Sequence, residues 1–462
     1  MNNATLPSVR FTHLLLITLA VMVAYLNAVN AGFLIVDDIQ LSNALESLHK
    51  VSLTDLFRPG GDRYFRPLSM VSFVVNYLVV GRNPAGFHLV NLLIHLANAL
   101  LVYILTIELL SEDNGKEAYA LIAALMFALY PINTEAVVWI SARPDLLGCF
   151  FFLIAMIIMV RPVPASILRS SFGLFLSVLC AFLAKESAMS LMVVAPLYCF
   201  MERKRIPARK IAGIMLPLLL AAAVYFFMRT GTAPTADKGV MKVISNHKPI
   251  IAITLDTLSA YGFYIGKLLY PFPLSFAIPT IDRALNILLF LLVLPAAAVL
   301  IFREQSFRLP LLVVFSGLVP PVLALIGNLP IIPYAERYLY IATTGFSLTF
   351  AIIVSRYLAR IPILLIVSIV LVAAIPTVLR VNLWSDPVPF WRDAVSKSPG
   401  VPIPHLALAA ELINAGSYAE AERELQAANR IGFDRETVRS FALQVSTTLD
   451  CLEGKGPPAS AP

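Results

Sequence analysis

The chain has 462 residues, of which 59% are hydrophobic and only 14% charged, and its mean hydropathy is +0.81. Soluble domains are roughly 45–50% apolar and about 25% charged, so this composition excludes a soluble globule, a disordered chain and a disulfide scaffold. The net charge of +7 suits the basic cytoplasmic loops of a polytopic membrane protein better than a nucleic-acid footprint, and the four cysteines show no CxxC spacing that would hold zinc.

Apolar runs able to cross a bilayer as helices fall at 12–30, 87–110, 117–131, 145–160, 168–183, 187–201, 210–229, 284–302, 308–327, 338–355 and 361–380. The first is longer than an ordinary signal-peptide core and is read as an uncleaved helix. Segment 68–80 is too short to span and reads as a helix lying at the membrane surface. Segment 250–270 contains Asp256 and Lys267 and is read as not crossing. With eleven spans, the basic residues of 201–210 (MERKRIPARK), Arg161 and Arg169, Arg303 and Arg308, and Arg356 and Arg360 share one side. The positive-inside rule makes that side the cytoplasm, with the N-terminus in and the C-terminus out across the inner (plasma) membrane. A crossing at 250–270 would carry Arg303, Arg308, Arg356 and Arg360 outside.

The expected organisation is a membrane domain over 1–380 whose first extracytoplasmic loop covers about 31–86. A Pro- and aromatic-rich tether over 381–401, an amphipathic helical unit over 402–451 and a tail over 452–462, disordered by composition, follow.

Nearly all the remaining ionisable residues fall on the outer face. In chain order these are Asp37-Asp38, then Asp62, Arg63 and Arg66, then Glu135, Arg143 and Asp145, Lys185-Glu186, and Glu336-Arg337. Charges near lipid are costly and either pair with one another or serve a site. Acids, arginines and a lysine at one membrane face suit an anionic substrate whose reaction needs a base, and arginine forks grip phosphate bidentately. No Gly-rich phosphate loop and no DxD triplet occurs, which speaks against a soluble-type nucleotide-sugar enzyme.

VDDIQ, YFRPLS, GFHLVNLLIHLANALLVY, YPINTEAVVWISARPDLL, KES, NLPIIPYAERYLY and RVNLW, in this order and followed by a helical repeat, carry a family likeness. The chain resembles the transmembrane-and-tetratricopeptide-repeat O-mannosyltransferases in a bacterial-like form, over roughly 12–435. These are type C polytopic glycosyltransferases. The resemblance implies an all-α integral membrane fold of about eleven transmembrane helices, with extracytoplasmic interfacial helices and a small C-terminal tetratricopeptide-like unit. It implies a polyprenyl-phosphate sugar donor, mannose or another hexose, an acceptor hydroxyl on protein Ser/Thr, and inversion at the anomeric carbon. Asp37 then corresponds to the base, and Asp38 to a group orienting the acceptor or a divalent cation (Mg or Mn). Arg66, Arg143, Lys185 and Arg337 are the candidates to meet the leaving phosphate. Glu135, Asp145, Glu186, Glu336 and His88 support them, with Glu336 expected to hold Arg337 and Asp145 to orient Arg143.

Each of these residues has a plainer reading as well. One of Asp37 and Asp38 suffices as a helix cap; Arg143 and Asp145 can close a turn as an exposed pair worth only about 0–1 kcal/mol; Arg66 and Lys185-Glu186 can snorkel. His88, Asn91, His95 and Asn98 line one face of a single span, which suits interhelical hydrogen bonding better than a metal. Gly416, Tyr418, Ala421, Leu425 and Ala428 follow the tetratricopeptide offsets, but Phe433 stands where the closing proline belongs, and 436–451 offers only part of a second unit. Since about three repeats are needed to bury a core, docking on the membrane domain or self-association is as well supported as acceptor binding. The alternatives are a transporter or flippase for a lipid-linked sugar, an enzyme acting on a lipid or polysaccharide acceptor, and a scaffold.

Overall fold

The computed structural model describes residues 10–34, 36–46, 57, 65–110, 115–162, 166–230, 249–326, 333–358 and 360–432. Asp62, Arg63, Phe433 and the stretch 436–462 lie outside them. Among the described residues the chain is helical apart from one isolated bridge, Ile278 to Tyr334. Nine helices there are long and apolar enough to cross a membrane, and the bent pair Lys116–Leu129 with Pro131–Val138 makes ten. The protein is an all-α integral membrane protein. Ile140–Val160 and Glu336–Tyr357, each about two-thirds buried, form the centre of the bundle, and Arg283–Arg303 is the most peripheral span.

Helix starts are set by local chemistry. Asn83, Ser166, Asp282 and Asp386 each accept a backbone N–H from the first turn that follows. Pro67, Pro84 and Pro387 sit at first helical positions, where a missing N–H costs nothing. The run 187–201 differs from the expected span. It folds as a 3-10 turn, Glu186–Ser190, followed by the short helix Leu191–Glu202, because Lys185 is extended and interrupts the helix period.

Segment 250–270 is a single helix, Ile250–Leu269. Arg283 Nη2 donates to Asp256 Oδ1 at 2.5 Å, and Gly262 lies so close to Asn286 that a Cβ would sit 1.8 Å from its carbonyl oxygen. Gly266 faces Leu289. Rising numbers on one helix therefore meet rising numbers on Arg283–Arg303. The two helices run the same way, so the connection 270–282 returns alongside them.

The stretch 381–401 differs from a tether too. It comprises the end of helix Ile375–Trp384 and the helix Pro387–Lys397, whose Trp384, Phe390 and Trp391 are buried. Beyond it, Pro402–Asn414 and Tyr418–Ile431 form an antiparallel hairpin that turns at Gly416, where φ is +75° and a side chain would be strained. His405 and Glu424 pair across the hairpin at 2.6 Å.

Candidate active site

The breaks in the helices bring the polar residues to one end of the bundle. Pro131 cannot continue Lys116–Leu129, and the chain bends by 47° into Pro131–Val138, which carries Glu135. Three segments share one device, an extended residue followed by a 3-10 turn: Trp139 before Ile140–Ala142, Lys185 before Glu186–Ser190, and Ala335 before Glu336–Leu339. An extended residue rotates the next side chains away from the preceding helix face, so ends that would point apart converge.

The ion pairs of this cluster join distant segments. Arg66 Nε donates to Glu186 Oε2 at 2.8 Å. Lys185 Nζ pairs with Asp145 Oδ2, and Arg337 Nη1 donates to Glu135 Oε1. Lys267 Nζ donates to Glu336 Oε1 at 3.1 Å. Two expected partnerships are thereby corrected. Glu336 does not hold Arg337, because it turns to Lys267 and to the Ser275 backbone N–H at 2.9 Å. Asp145 does not orient Arg143, because it faces Lys185. The carboxylate that holds Arg337 is Glu135, only 2% exposed, whose Oε2 also accepts the backbone N–H groups of Glu336 at 3.0 Å and Arg337 at 3.2 Å. It caps the incoming helix and fixes its arginine at once.

Arg66, Lys185 and Arg337 share one electrostatic field. Burial pushes the Lys185 ammonium down to about 8; Asp145 opposes the fall, while Arg66 and Arg337 add to it. Burial also works against ionisation of Glu186, yet the nearby Arg66 outweighs it and holds that carboxyl below its ordinary range. The Arg337 guanidinium lies 4.4 Å from the centre of the Trp139 ring and 4.9 Å from that of Tyr338, and Lys185 Nζ is 5.7 Å from the same Tyr338 ring centre. Cation–π contacts of this kind hold an arginine plane in place.

Asp37 and Asp38 open the helix Val36–Glu46, where its dipole favours negative charge. Asp37 is exposed; the protein around it still desolvates the carboxyl enough to raise its pKa, and Arg337 is near enough to oppose that rise. Asp38 turns inward, 1% exposed, and its Oδ1 accepts the Ser141 N–H at 2.9 Å and the Ser141 hydroxyl at 2.5 Å. Burial pushes it up to about 7 against those hydrogen bonds. Among the described residues no three His, Cys, Asp or Glu side chains group as metal ligands. Asp38 is already committed to Ser141, so the described residues do not fit a divalent cation there.

Because the Asp38 pKa is higher folded than unfolded, the folded state holds its proton more tightly. Stability from this group is full below about 4 and is lost as pH rises through about 7. Asp38→Asn keeps an oxygen for Ser141 and is expected to remove that slope. The difference between the thermal midpoints at pH 5 and pH 8 should shrink in the variant by the few kcal/mol that this one carboxyl contributes in wild type.

Arg143 is not brought to the cluster. It is fully buried, and it donates to Asn91 Oδ1 at 2.7 Å, Asn76 Oδ1 at 2.7 Å, Phe87 O at 3.0 Å and Ser72 O at 3.2 Å, with its guanidinium 4.4 Å from the Phe73 ring centre. It clamps helix Pro67–Val80 to Pro84–Leu109. Arg143→Met leaves four oxygens without their donor and is expected to cost about 3 kcal/mol. Thermal unfolding should register that loss; an unchanged midpoint would show that this guanidinium does not serve as a structural clamp.

His88 is buried as well, with Nε2 3.4 Å from Gly32 O, and so braces the loop leading to Asp37. The neighbours on its face do hydrogen-bond between helices. Asn91 donates to the carbonyls of Val137, Trp139 and Ile140; His95 Nε2 donates to Ala128 O at 3.0 Å, leaving Nδ1 to accept from the Tyr340 hydroxyl at 2.6 Å; Asn98 donates to Leu146 O at 3.0 Å. Sequence reasoning left Trp139, Ser141, Tyr338 and Lys267 out of the site. Only Lys267 carried a signal, an ammonium inside an otherwise apolar helix.

Fold and site together define a multi-pass, all-helical membrane protein with a paired-charge centre at one end of its bundle. Among characterised proteins the chain is similar to Protein O-mannosyl-transferase Tmtc1 of Drosophila melanogaster, 32% identical over 185 residues, which is 38% of this chain and 21% of that one. Protein O-mannosyl-transferase TMTC1 of Homo sapiens is 32% identical over 145 residues, covering 29% of this chain and 16% of the relative. Protein O-mannosyl-transferase TMTC2 of Mus musculus is 27% identical over 282 residues, covering 54% and 33%. The matched stretches thus span only a sixth to a third of these relatives. No family model matches the chain, and no solved structure does.

Proposed function

We propose that the chain is a membrane glycosyltransferase of the type C class. It moves mannose or another hexose from a polyprenyl-phosphate carrier to a protein Ser/Thr hydroxyl, with inversion, on the extracytoplasmic face. The observation that carries this reading is the exposed Asp37 beside the cluster of Arg66, Lys185 and Arg337, each cation pinned by an acid from another segment. The names of the similar proteins, all O-mannosyl-transferases, support the sugar and the protein acceptor.

In this reading the acceptor oxygen attacks the anomeric carbon from the face opposite the phosphate. Its proton passes to the Asp37 carboxylate as the carbon–oxygen bond to phosphate breaks. The bond pair leaves with the polyprenyl phosphate, which becomes a dianion. A raised carboxyl pKa suits a base working near neutral pH. Fixed guanidinium and ammonium groups meet charge as it develops, with no reorganisation at the moment of reaction. Arg337, planar on Trp139, is the principal contact for that phosphate, with Lys185 and Arg66 beside it. Asp38 holds the Trp139–Ser141 turn under it.

The test is transfer by purified protein in lipid nanodiscs supplied with radiolabelled polyprenyl-phosphate mannose and a mixed peptide and lipid extract, with and without EDTA. Label in a peptide Ser/Thr product is the expected result. Failure across a panel of carrier sugars, with carrier binding intact, would favour a flippase.

A further inference from the structure

We infer that Phe276 is a positioning residue that passes the seating of the C-terminal helices to Trp139, and through Trp139 to Arg337 and Asp38. The chain has three tryptophans, and all three lie around this one ring. Ring centres are 6.0 Å away for Trp139, 6.0 Å for Trp384 and 5.3 Å for Trp391, with planes at 72°, 76° and 87°. Edge-to-face contacts fix the tilt of a ring as well as its place.

The loop bearing Phe276 is pinned from both sides. Toward the site, Ser275 N–H donates to Glu336, and Lys267 Nζ donates to Pro271 O at 3.1 Å. Toward the C-terminal helices, Lys397 Nζ donates to Leu274 O at 2.7 Å, and the Ser398 hydroxyl donates to Ala277 O. A loop held at both edges cannot absorb a packing defect by sliding, so the defect is passed to the next ring. That ring is Trp139, which carries the Arg337 guanidinium on its face and lies two residues from Ser141, the hydrogen-bond partner of Asp38.

The catalytic consequence rests on the function proposed above; the mechanical one does not, and the experiment separates them. Trp384 and Trp391 have indole N–H groups without hydrogen-bond partners, so Trp384→Phe with Trp391→Phe keeps both ring contacts and leaves Trp139 as the sole tryptophan. In nanodiscs, Phe276→Leu in this background is expected to shift Trp139 emission and the pH midpoint of that emission. It should lower kcat about tenfold or more, with donor KM within about twofold. Phe152→Leu, a buried core change remote from Trp139, controls for lost packing and should move neither optical readout. Should Phe276→Leu fail to assemble, Trp384→Phe with Trp391→Leu leaves Phe276 in place and should give a smaller shift of the same sign. Unchanged emission and midpoint in whichever variant folds would overturn the inference. A shift of Trp139 in a protein that transfers no sugar would uphold it and overturn the glycosyltransferase reading alone.

Discussion

Asp37→Asn is expected to remove sugar transfer almost entirely while leaving the protein folded. The substitution is nearly isosteric, and the carboxylate is exposed, so the stability at risk is little more than its attraction to the helix dipole, about 0.3–1 kcal/mol. What is lost is a proton acceptor next to the reacting hydroxyl. General-base assistance contributes about 10²–10⁴-fold, and kcat should fall by that much with donor KM and thermal midpoint near wild type. Asp37→Glu moves the carboxylate outward by a methylene and should keep a small residual rate. Turnover within tenfold of wild type in Asp37→Asn would leave the site without its base.

Glu135→Gln is expected to damage stability and catalysis together. The carboxylate has two tasks, since Oε2 takes two backbone N–H groups and Oε1 takes the Arg337 guanidinium. An amide has one oxygen and one NH2, so whichever task keeps the oxygen, the other meets a donor facing a donor. Breaking a buried ion pair from one side typically costs about 3–5 kcal/mol, because the remaining charge stays uncompensated. Arg337 would also lose its orientation over Trp139, and the rate per folded molecule should fall about 10²-fold or more, comparable to removing one donor from an oxyanion site. Unfolding in detergent and single-turnover transfer in nanodiscs measure the two losses separately. A destabilised variant with a normal rate per folded molecule would confine Glu135 to capping.

The fold class was legible because apolar runs of span length dominate the composition, and the motif order pointed to the segments that do meet at one face. The charge partnerships were not legible. Glu336 and Arg337 look like a pair in the sequence, as do Lys185 and Glu186, but consecutive residues on a helical turn point to different sides. Glu336 therefore reaches Lys267, Arg337 reaches Glu135, Lys185 reaches Asp145 and Glu186 reaches Arg66. Arg143 was misleading for a related reason. An arginine beside Pro144 in a polar motif reads as surface chemistry, and only the packing reveals that it is enclosed by neutral acceptors. The stretch 381–401 read as a tether because prolines break helices, yet Pro387 follows an Asp386 cap and opens one. The direction of Ile250–Leu269 relative to its neighbour depends on a glycine contact that no periodicity encodes.

The pairing pattern also sets a timetable for biosynthesis. Glu135 and Arg337 are 202 residues apart, and Arg66 and Glu186 are 120 apart. At about 5–20 residues per second, Glu135 waits roughly 10–40 s after its own synthesis before its arginine exists. Throughout that interval the Glu135 carboxylate lacks both the guanidinium and the two backbone N–H groups that hold it in the folded protein. A chain that stops before residue 337 therefore never completes the Glu135 pair, so the site closes only when the last third of the protein has been made.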